Sequence, residues 1–247
     1  MTTRYRDVRT PPAEPHVRIS SGKQGTYEAD AWLAFLALAD QSNIWRLLYT
    51  RWIKRCIDCV AALVLLLLLS PLLLMISLAI RLESPGPAIF RQTRIGRGGK
   101  PFTILKFRTM LPDRRQSTAN GQHTGIERRQ SHKTRRNPRV TRLGRFLRRT
   151  SLDELPQLVN ILVGQMSFVG PRPELPEIVD SYASWQHQRH LVTPGLTGWW
   201  QIEGRSERPM HDHTDLDIYY VVHISPMLDV IILLRTFLAV LRGHGAF

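Results

Sequence analysis

The chain has 247 residues, enough for one sizeable core or two small ones, and its 16 glycines and 16 prolines are too few for disorder throughout. Its formal charge is +14, unevenly spread: from Arg91 to Arg149 there are 18 basic residues against Asp113 and Glu127 alone, so the rest of the chain is close to neutral. The basic stretch carries no recognition helix, zinc finger or RNA-binding aromatic signature, which argues against nucleic acid and leaves lipid headgroups or a phosphorylated substrate as its anionic partners.

The first 28 residues read as disordered, and the N-terminus lacks the cleavage pattern of a secretory signal. Ala31–Leu38 and Ile44–Trp52 are too short to span a bilayer. Their aromatic residues suit either a helix lying in the headgroup layer or a packed amphipathic helix. Cys56-Ile57-Asp58-Cys59 has C-x-x-C spacing without a second pair, so small apolar packing is expected there and no disulfide framework is available.

From Val60 to Ile80 the chain is apolar except for Ser70, Pro71 and Ser77, and as one straight helix these 21 residues would reach about 31 Å. Two features oppose a simple span. Pro71 removes an amide donor at the midpoint and crowds the carbonyl four residues back. Arg51, Lys54 and Arg55 precede the stretch, and Arg81, Arg91, Arg94 and Arg97 follow it, so the positive-inside rule asks for both ends on the cytoplasmic side. A helix-break-helix hairpin at Ser70-Pro71 that enters and leaves through one leaflet meets both demands.

Pro87–Gln92 and Pro101–Met110 are predicted strands joined by the glycine-rich turn 94–100. Alternation along the second puts Phe102, Ile104, Lys106 and Arg108 on one face, where Lys106 and Arg108 could grip phosphate. Leu111–Pro138 is polar and aperiodic, a mobile loop. Leu155, Leu158, Val159 and Leu162 recur at helical spacing, and Gly164 ends that helix. Met166–Val169 is strand-like and runs into Gly170-Pro171-Arg172-Pro173, a rigid turn that would hold Arg172. Met227–Leu241 is an apolar helix that packs on the core or lies on the membrane. The fold class is thus a membrane-associated, helix-rich α+β protein: residues 1–50 form a disordered or interfacial segment, 51–84 a re-entrant hairpin, and 85–247 a small cytoplasmic domain containing a short β-hairpin and the mobile loop 111–138.

The acidic pair Asp153-Glu154 closes the most basic part of the chain. Ser151-x-x-Glu154 fits a capping box. The same placement puts both carboxylates in a helix's first turn, where the macrodipole keeps them ionised as a nucleophile or metal ligand must be. Phosphoryl transfer needs phosphate-binding cations, a carboxylate for Mg²⁺ and a nucleophile, and Lys106, Arg145, Arg149, Arg172, Asp153 and Glu154 can supply them.

The segments Lys106-Phe107-Arg108-Thr109-Met110, 148–158 (RRTSLDELPQL), 167–174 (SFVGPRPE) and 194–201 (PGLTGWWQ) resemble the bacterial sugar transferase family, the monotopic polyprenyl-phosphate phosphoglycosyl transferases that begin exopolysaccharide, capsule and O-antigen assembly. The match runs in order from about Lys54 to Phe247. The resemblance implies transfer of sugar 1-phosphate from a UDP-sugar to undecaprenyl phosphate, with release of UMP and a requirement for Mg²⁺. It makes Asp153 the nucleophile of a phosphosugar-aspartate and assigns Glu154, with Asp153, to the metal. Lys106, Arg108, Arg145, Arg149, Arg172 and Gln201 become the residues that hold substrate. It implies a re-entrant hairpin bent at Ser70-Pro71, a place in the bacterial inner membrane with the catalytic domain facing the cytoplasm, contact with membrane lipid, and a homodimer as one assembly. In this chain Asn137-Pro138-Arg139 replaces the family's usual Asp-Pro-Arg, and about 50 unrelated-looking residues stand where many relatives carry further spanning helices.

Rival readings exist. Asp215-Leu216-Asp217 has the D-x-D form of a glycosyltransferase metal site, but residues two apart on a helix do not share a face. His211-Asp212-His213 could bind a metal, although a polar turn usually leaves such residues solvated. A membrane-anchored scaffold or regulator that binds anionic lipid or assembly proteins through the basic face is the alternative to an enzyme.

Overall fold

The computed structural model describes residues 45, 48–111, 139–203 and 214–241. Most of the N-terminal segment, the loop 112–138, the His211-Asp212-His213 turn and the tail 242–247 lie outside the described residues, and with them the expectations made for those parts.

A π-helical turn, Tyr49–Ile53, leads into helix α1, Lys54–Glu83. Tyr49–Glu83 is long and apolar enough to cross a membrane. Pro71 lies inside α1, which continues through it, so the expected break in the helix is absent from the hydrogen-bonded backbone. Proline cannot donate to Leu67 O, and the Ser70 hydroxyl does so instead at 2.8 Å, which satisfies the carbonyl that Pro71 orphans.

Both ends of α1 are fastened to the rest of the chain. Near its start, Arg55 donates to the carbonyls of Ile161 at 2.5 Å and Leu162 at 2.7 Å, and Lys54 and Tyr49 both pair with Asp229. Beyond its end, Arg108 donates to Pro85 O at 2.8 Å and to Ser84 O at 2.7 Å. Between these points Ala62 and Leu66 pack with Ile104, Leu158 and Ile161, while Ile76 and Ile80 pack with Phe107 and Leu147. The opposite side is bare: Val64, Leu67, Leu68, Leu74, Met75 and Leu78 are all exposed.

Strands β1 (Ile89–Ile95) and β2 (Pro101–Phe107) form the predicted hairpin, in the register Ile89↔Phe107 through Ile95↔Pro101. Its tight connection takes Gly98 to φ 66, which glycine tolerates without steric cost. Helix α2 (Arg142–Arg149) follows, its first turn capped by Thr141, whose side chain accepts from Gly144 N. Past the 3₁₀ turn Leu152–Glu154 comes α3 (Gln157–Leu162), which ends as predicted near Gly164, at φ 88. Strand β3 (Ser167–Val169) pairs in parallel with β4 (Gly195–Thr197) across the short helix α4 (Pro176–Val179) and a 3₁₀ segment, Ser184–Leu191.

The chain continues through α5 (Trp199–Glu203), α6 (Thr214–His223) and α7 (Pro226–Leu241). Helix α7 both packs on the core and exposes apolar surface. Ile232 is fully buried with Tyr220 and Val169, while Met227, Val230, Leu233, Leu234, Phe237 and Leu238 face outward.

Candidate active site

The acidic pair sits between two helices that meet at a strained residue. Ser151 has φ 57 and ψ 14, the only positive φ outside glycine among the described residues. It terminates α2 in the left-handed conformation common just past a helix end, with its N–H bonded to Arg148 O at 3.2 Å. Its side chain makes no cap, and the capping box expected between Ser151 and Glu154 is absent. The Glu154 carboxylate turns instead to two cations: Lys106 Nζ lies 2.6 Å and Arg172 Nη2 2.8 Å from its Oε1. Nor is the pair in the first turn of an α-helix, since Pro156 separates its 3₁₀ turn from α3.

Three further contacts set this geometry. Asn160, buried on α3, accepts from Leu105 N at 3.0 Å and donates to Thr103 O at 2.7 Å, so its amide completes the open edge of β2 and fixes α3 against it. Lys106 is thereby held opposite Glu154. Arg189 donates to Arg172 O at 2.6 Å and pairs with buried Asp217 at 2.5 Å, which anchors the Arg172 backbone behind the site. Arg148 donates to Thr109 Oγ1 at 2.9 Å, and its charge acts on Asp153.

The two carboxylates differ sharply. Burial opposes ionisation of Glu154, but the charges of Arg172 and Lys106 outweigh it and hold the group well below the usual carboxylate range. Asp153, half-buried and accepting no hydrogen bond among the described residues, is pushed up to about 6 by burial and by the neighbouring Glu154 charge, with Lys106, Arg148 and Arg172 opposing. Such a group is ionised at neutral pH and has both oxygens free, as a nucleophile requires. Burial pushes the Lys106 ammonium down, against the attraction of Glu154.

Glu154 Oε2 has no partner among the described residues, and no group of three or more metal-ligating side chains lies among them. Two adjacent carboxylates nevertheless fit Mg²⁺, which is commonly held by one or two carboxylates together with substrate phosphates. Asp217 of the D-x-D pair is consumed by Arg189, in line with a structural role.

Of the residues singled out in the sequence, Lys106, Asp153, Glu154 and Arg172 come together. Arg108 does not join them: β2 ends at Phe107, strand alternation stops there, and the Arg108 guanidinium is spent on the carbonyls after α1. Arg145 and Arg149 are exposed on α2, and Gln201 is buried on α5 with its amide donating to Leu196 O at 3.3 Å. Arg148, Asn160 and Arg189 were not foreseen as parts of the site. Arg148 lay inside a recognised motif, but nothing in an arginine-rich run distinguishes the one that turns inward.

A family model described as bacterial sugar transferase matches residues 49–243. The UDP-glucose:undecaprenyl-phosphate glucose-1-phosphate transferase of Escherichia coli (strain K12) is 42% identical over 205 residues, which are 78% of this chain and 40% of that protein. The enzyme of the same name from Caulobacter vibrioides is 44% identical over 202 residues, 78% of this chain and 72% of that protein. A UDP-N-acetylgalactosamine-undecaprenyl-phosphate N-acetylgalactosaminephosphotransferase of Aeromonas hydrophila is 38% identical over 204 residues, 79% of this chain and 45% of that protein. The chain thus spans less than half the length of two of these three relatives.

Proposed function

The chain belongs to the bacterial sugar transferase family, and on that premise we propose that it transfers sugar 1-phosphate from a UDP-sugar to undecaprenyl phosphate, the first membrane step of polysaccharide assembly. The observation that carries the reading is the contrast within the acidic pair: Glu154 is neutralised by two cations, while Asp153 stands ionisable and accepts no hydrogen bond among the described residues.

In the first step an Asp153 oxygen attacks the sugar-side phosphorus of the diphosphate. A carboxyl-phosphate bond forms, the bridging P–O bond breaks, and UMP leaves. In the second, a phosphate oxygen of the lipid attacks the same phosphorus, the aspartyl bond breaks, and Asp153 regains its carboxylate. Lys106, Arg172 and Arg148 hold phosphate oxygens and balance the charge that accumulates around them. Asp153 and Glu154 would hold Mg²⁺, which would supply further neutralisation of the diphosphate charge.

The same reading places α1 in one leaflet. Both ends of α1 are tied to a single domain, at Arg55 and at Arg108, whereas a spanning helix would carry one end away from it by about 30 Å. The exposed apolar side of α1 then sits in one leaflet with both ends of the helix held against the domain, which stays on the cytoplasmic face of the inner membrane. Release of UMP from a UDP-sugar, dependent on Asp153, tests the enzymatic reading; liposome or partner binding without UMP release would favour a scaffold.

A further inference from the structure

Pro171-Arg172-Pro173 has one backbone donor, at Arg172, because proline carries no N–H, and each proline ring fixes its own φ. The segment must therefore be fastened through its carbonyls, and four in succession accept from separate donors. Gly195 N donates to Pro171 O at 2.9 Å, Arg189 Nη2 to Arg172 O at 2.6 Å, Arg94 Nη1 to Pro173 O at 3.5 Å, and Ile95 N to Glu174 O at 2.9 Å. The donor at Arg172 itself is a buried side chain. The Arg189 guanidinium reaches three acceptors at once: Arg172 O, the Tyr182 hydroxyl, and the Asp217 carboxylate at 2.5 Å. Asp217, on α6, is as fully buried as Arg189. Taking a guanidinium out of water is costly unless a counter-charge meets it, so Asp217 is what lets Arg189 stand behind Arg172.

We infer that Arg189 and Asp217 are positioning residues for the phosphoryl transfer: they hold the Arg172 backbone so that its guanidinium serves Glu154 and the diphosphate together. The inference rests on the transferase reading for the identity of the substrate. Among the described residues Arg172 commits only Nη2, to Glu154 at 2.8 Å, and its side chain is 29% exposed, so Nε and Nη1 are left for phosphate oxygens. A guanidinium grips phosphate best through two parallel N–H bonds, and that geometry depends on where the backbone puts the base of the side chain. A misplacement of about 1 Å can cost roughly a hundredfold in rate. Glu154 meets only the far end of the Arg172 side chain, whereas Arg189 fixes the backbone from which it departs. Asp217 of the D-x-D pair thereby acquires a part in the reaction without touching substrate or metal: it aims Arg189.

Arg189→Lys keeps a cation against Asp217 but puts one ammonium in place of a fork that reaches three acceptors. In the full protein in nanodiscs it is expected to lower kcat/KM for the UDP-sugar by about tenfold or more. Binding of inorganic pyrophosphate with Mg²⁺, followed by calorimetry, should weaken by about fivefold or more. In an Arg172→Met background the same change should alter either quantity by less than about twofold, because no guanidinium is left to position. Equal factors in the two backgrounds would mean general damage to the fold and overturn the proposal, as would unchanged kcat/KM in the parent. If Arg189→Lys does not fold, Asp217→Asn carries the same cycle: it keeps the shape, removes the charge, and is expected to lower both quantities by about threefold or more in the parent alone. If the unaltered protein releases no UMP from any UDP-sugar, the transferase reading fails, while the pyrophosphate titrations still decide whether Arg189 acts through Arg172. A parent protein that binds no pyrophosphate overturns the inference by itself.

Discussion

Lys106 Nζ lies 2.6 Å from Glu154 Oε1, joining a strand residue to a turn 48 positions later in the chain. Through this contact the β-hairpin and the acidic turn become one site, and the carboxylate that could have capped a helix is drawn away from Ser151.

Asp153→Asn is expected to lower UMP release at least about a thousandfold, the scale on which loss of an essential group slows an enzyme. Folding should not suffer, because burial already disfavours the charged form of Asp153. UMP assays across a panel of UDP-sugars, with thermal melts of both proteins, check both halves; full turnover by the variant sinks the nucleophile assignment.

Glu154→Gln leaves Lys106 and Arg172 facing a neutral group. Their side chains are 19% and 29% exposed, so water recovers part of the loss, and a destabilisation of about 1–3 kcal/mol is expected rather than the larger figure for a fully buried pair. Adding Lys106→Met should restore part of it. A double-mutant cycle by denaturant unfolding measures the coupling, and a zero coupling energy would refute it.

Asn160→Ala strips the partners from Leu105 N–H and Thr103 C=O at the edge of β2. The expected cost is about 2–4 kcal/mol from two main-chain groups left unsatisfied. Amide exchange at Leu105 should accelerate in the variant; protection as in the parent would show that α3 does not depend on this side chain.

Burial, then the charge of Arg189 and that of His187, pull His190 down to about 3 from its ordinary value near 6.5. Below pH 6.5 the unfolded chain takes up a proton that folded His190 refuses. The stability this group confers is therefore complete above pH 6.5 and declines as pH falls toward 3, by up to about 1.4 kcal/mol per pH unit. His190→Gln should flatten the stability profile between pH 6.5 and 4 relative to the parent. Parallel profiles for the two proteins would show that His190 does not titrate on unfolding.

Trp52→Cys, just before α1, and Leu82→Cys, in its last turn, made singly in a Cys56→Ser/Cys59→Ser background, put a thiol at an exposed position near each end of the helix. Both should react with an impermeant maleimide in inverted vesicles and neither in intact cells. Reaction of either one from outside the cell would exclude a helix that returns through one leaflet.

What the sequence determined is what depends on neighbours along the chain. The hairpin follows from apolar runs around a glycine turn, α3 from the spacing of Leu155, Leu158 and Leu162, and the apolar character of α1 from its composition. Motif order was likewise legible, and it marked Asp153, Glu154, Lys106 and Arg172 before any contact was known. Local rules failed where two of them competed. Ser151 reads from the sequence as the start of a helix, and the tertiary structure made it the end of one, because Lys106 and Arg172 draw Glu154 away from its amide. Pro71 predicts a break, yet α1 runs on with Ser70 supplying the missing donor. Which arginine turns inward was settled by burial alone: Arg148 faces Thr109 and Asp153, Arg108 holds the end of α1, and Arg145 and Arg149 stay in water. Identical charges in one run carry no record of their partners, so only the packing of α2, α3 and β2 against α1 could assign them.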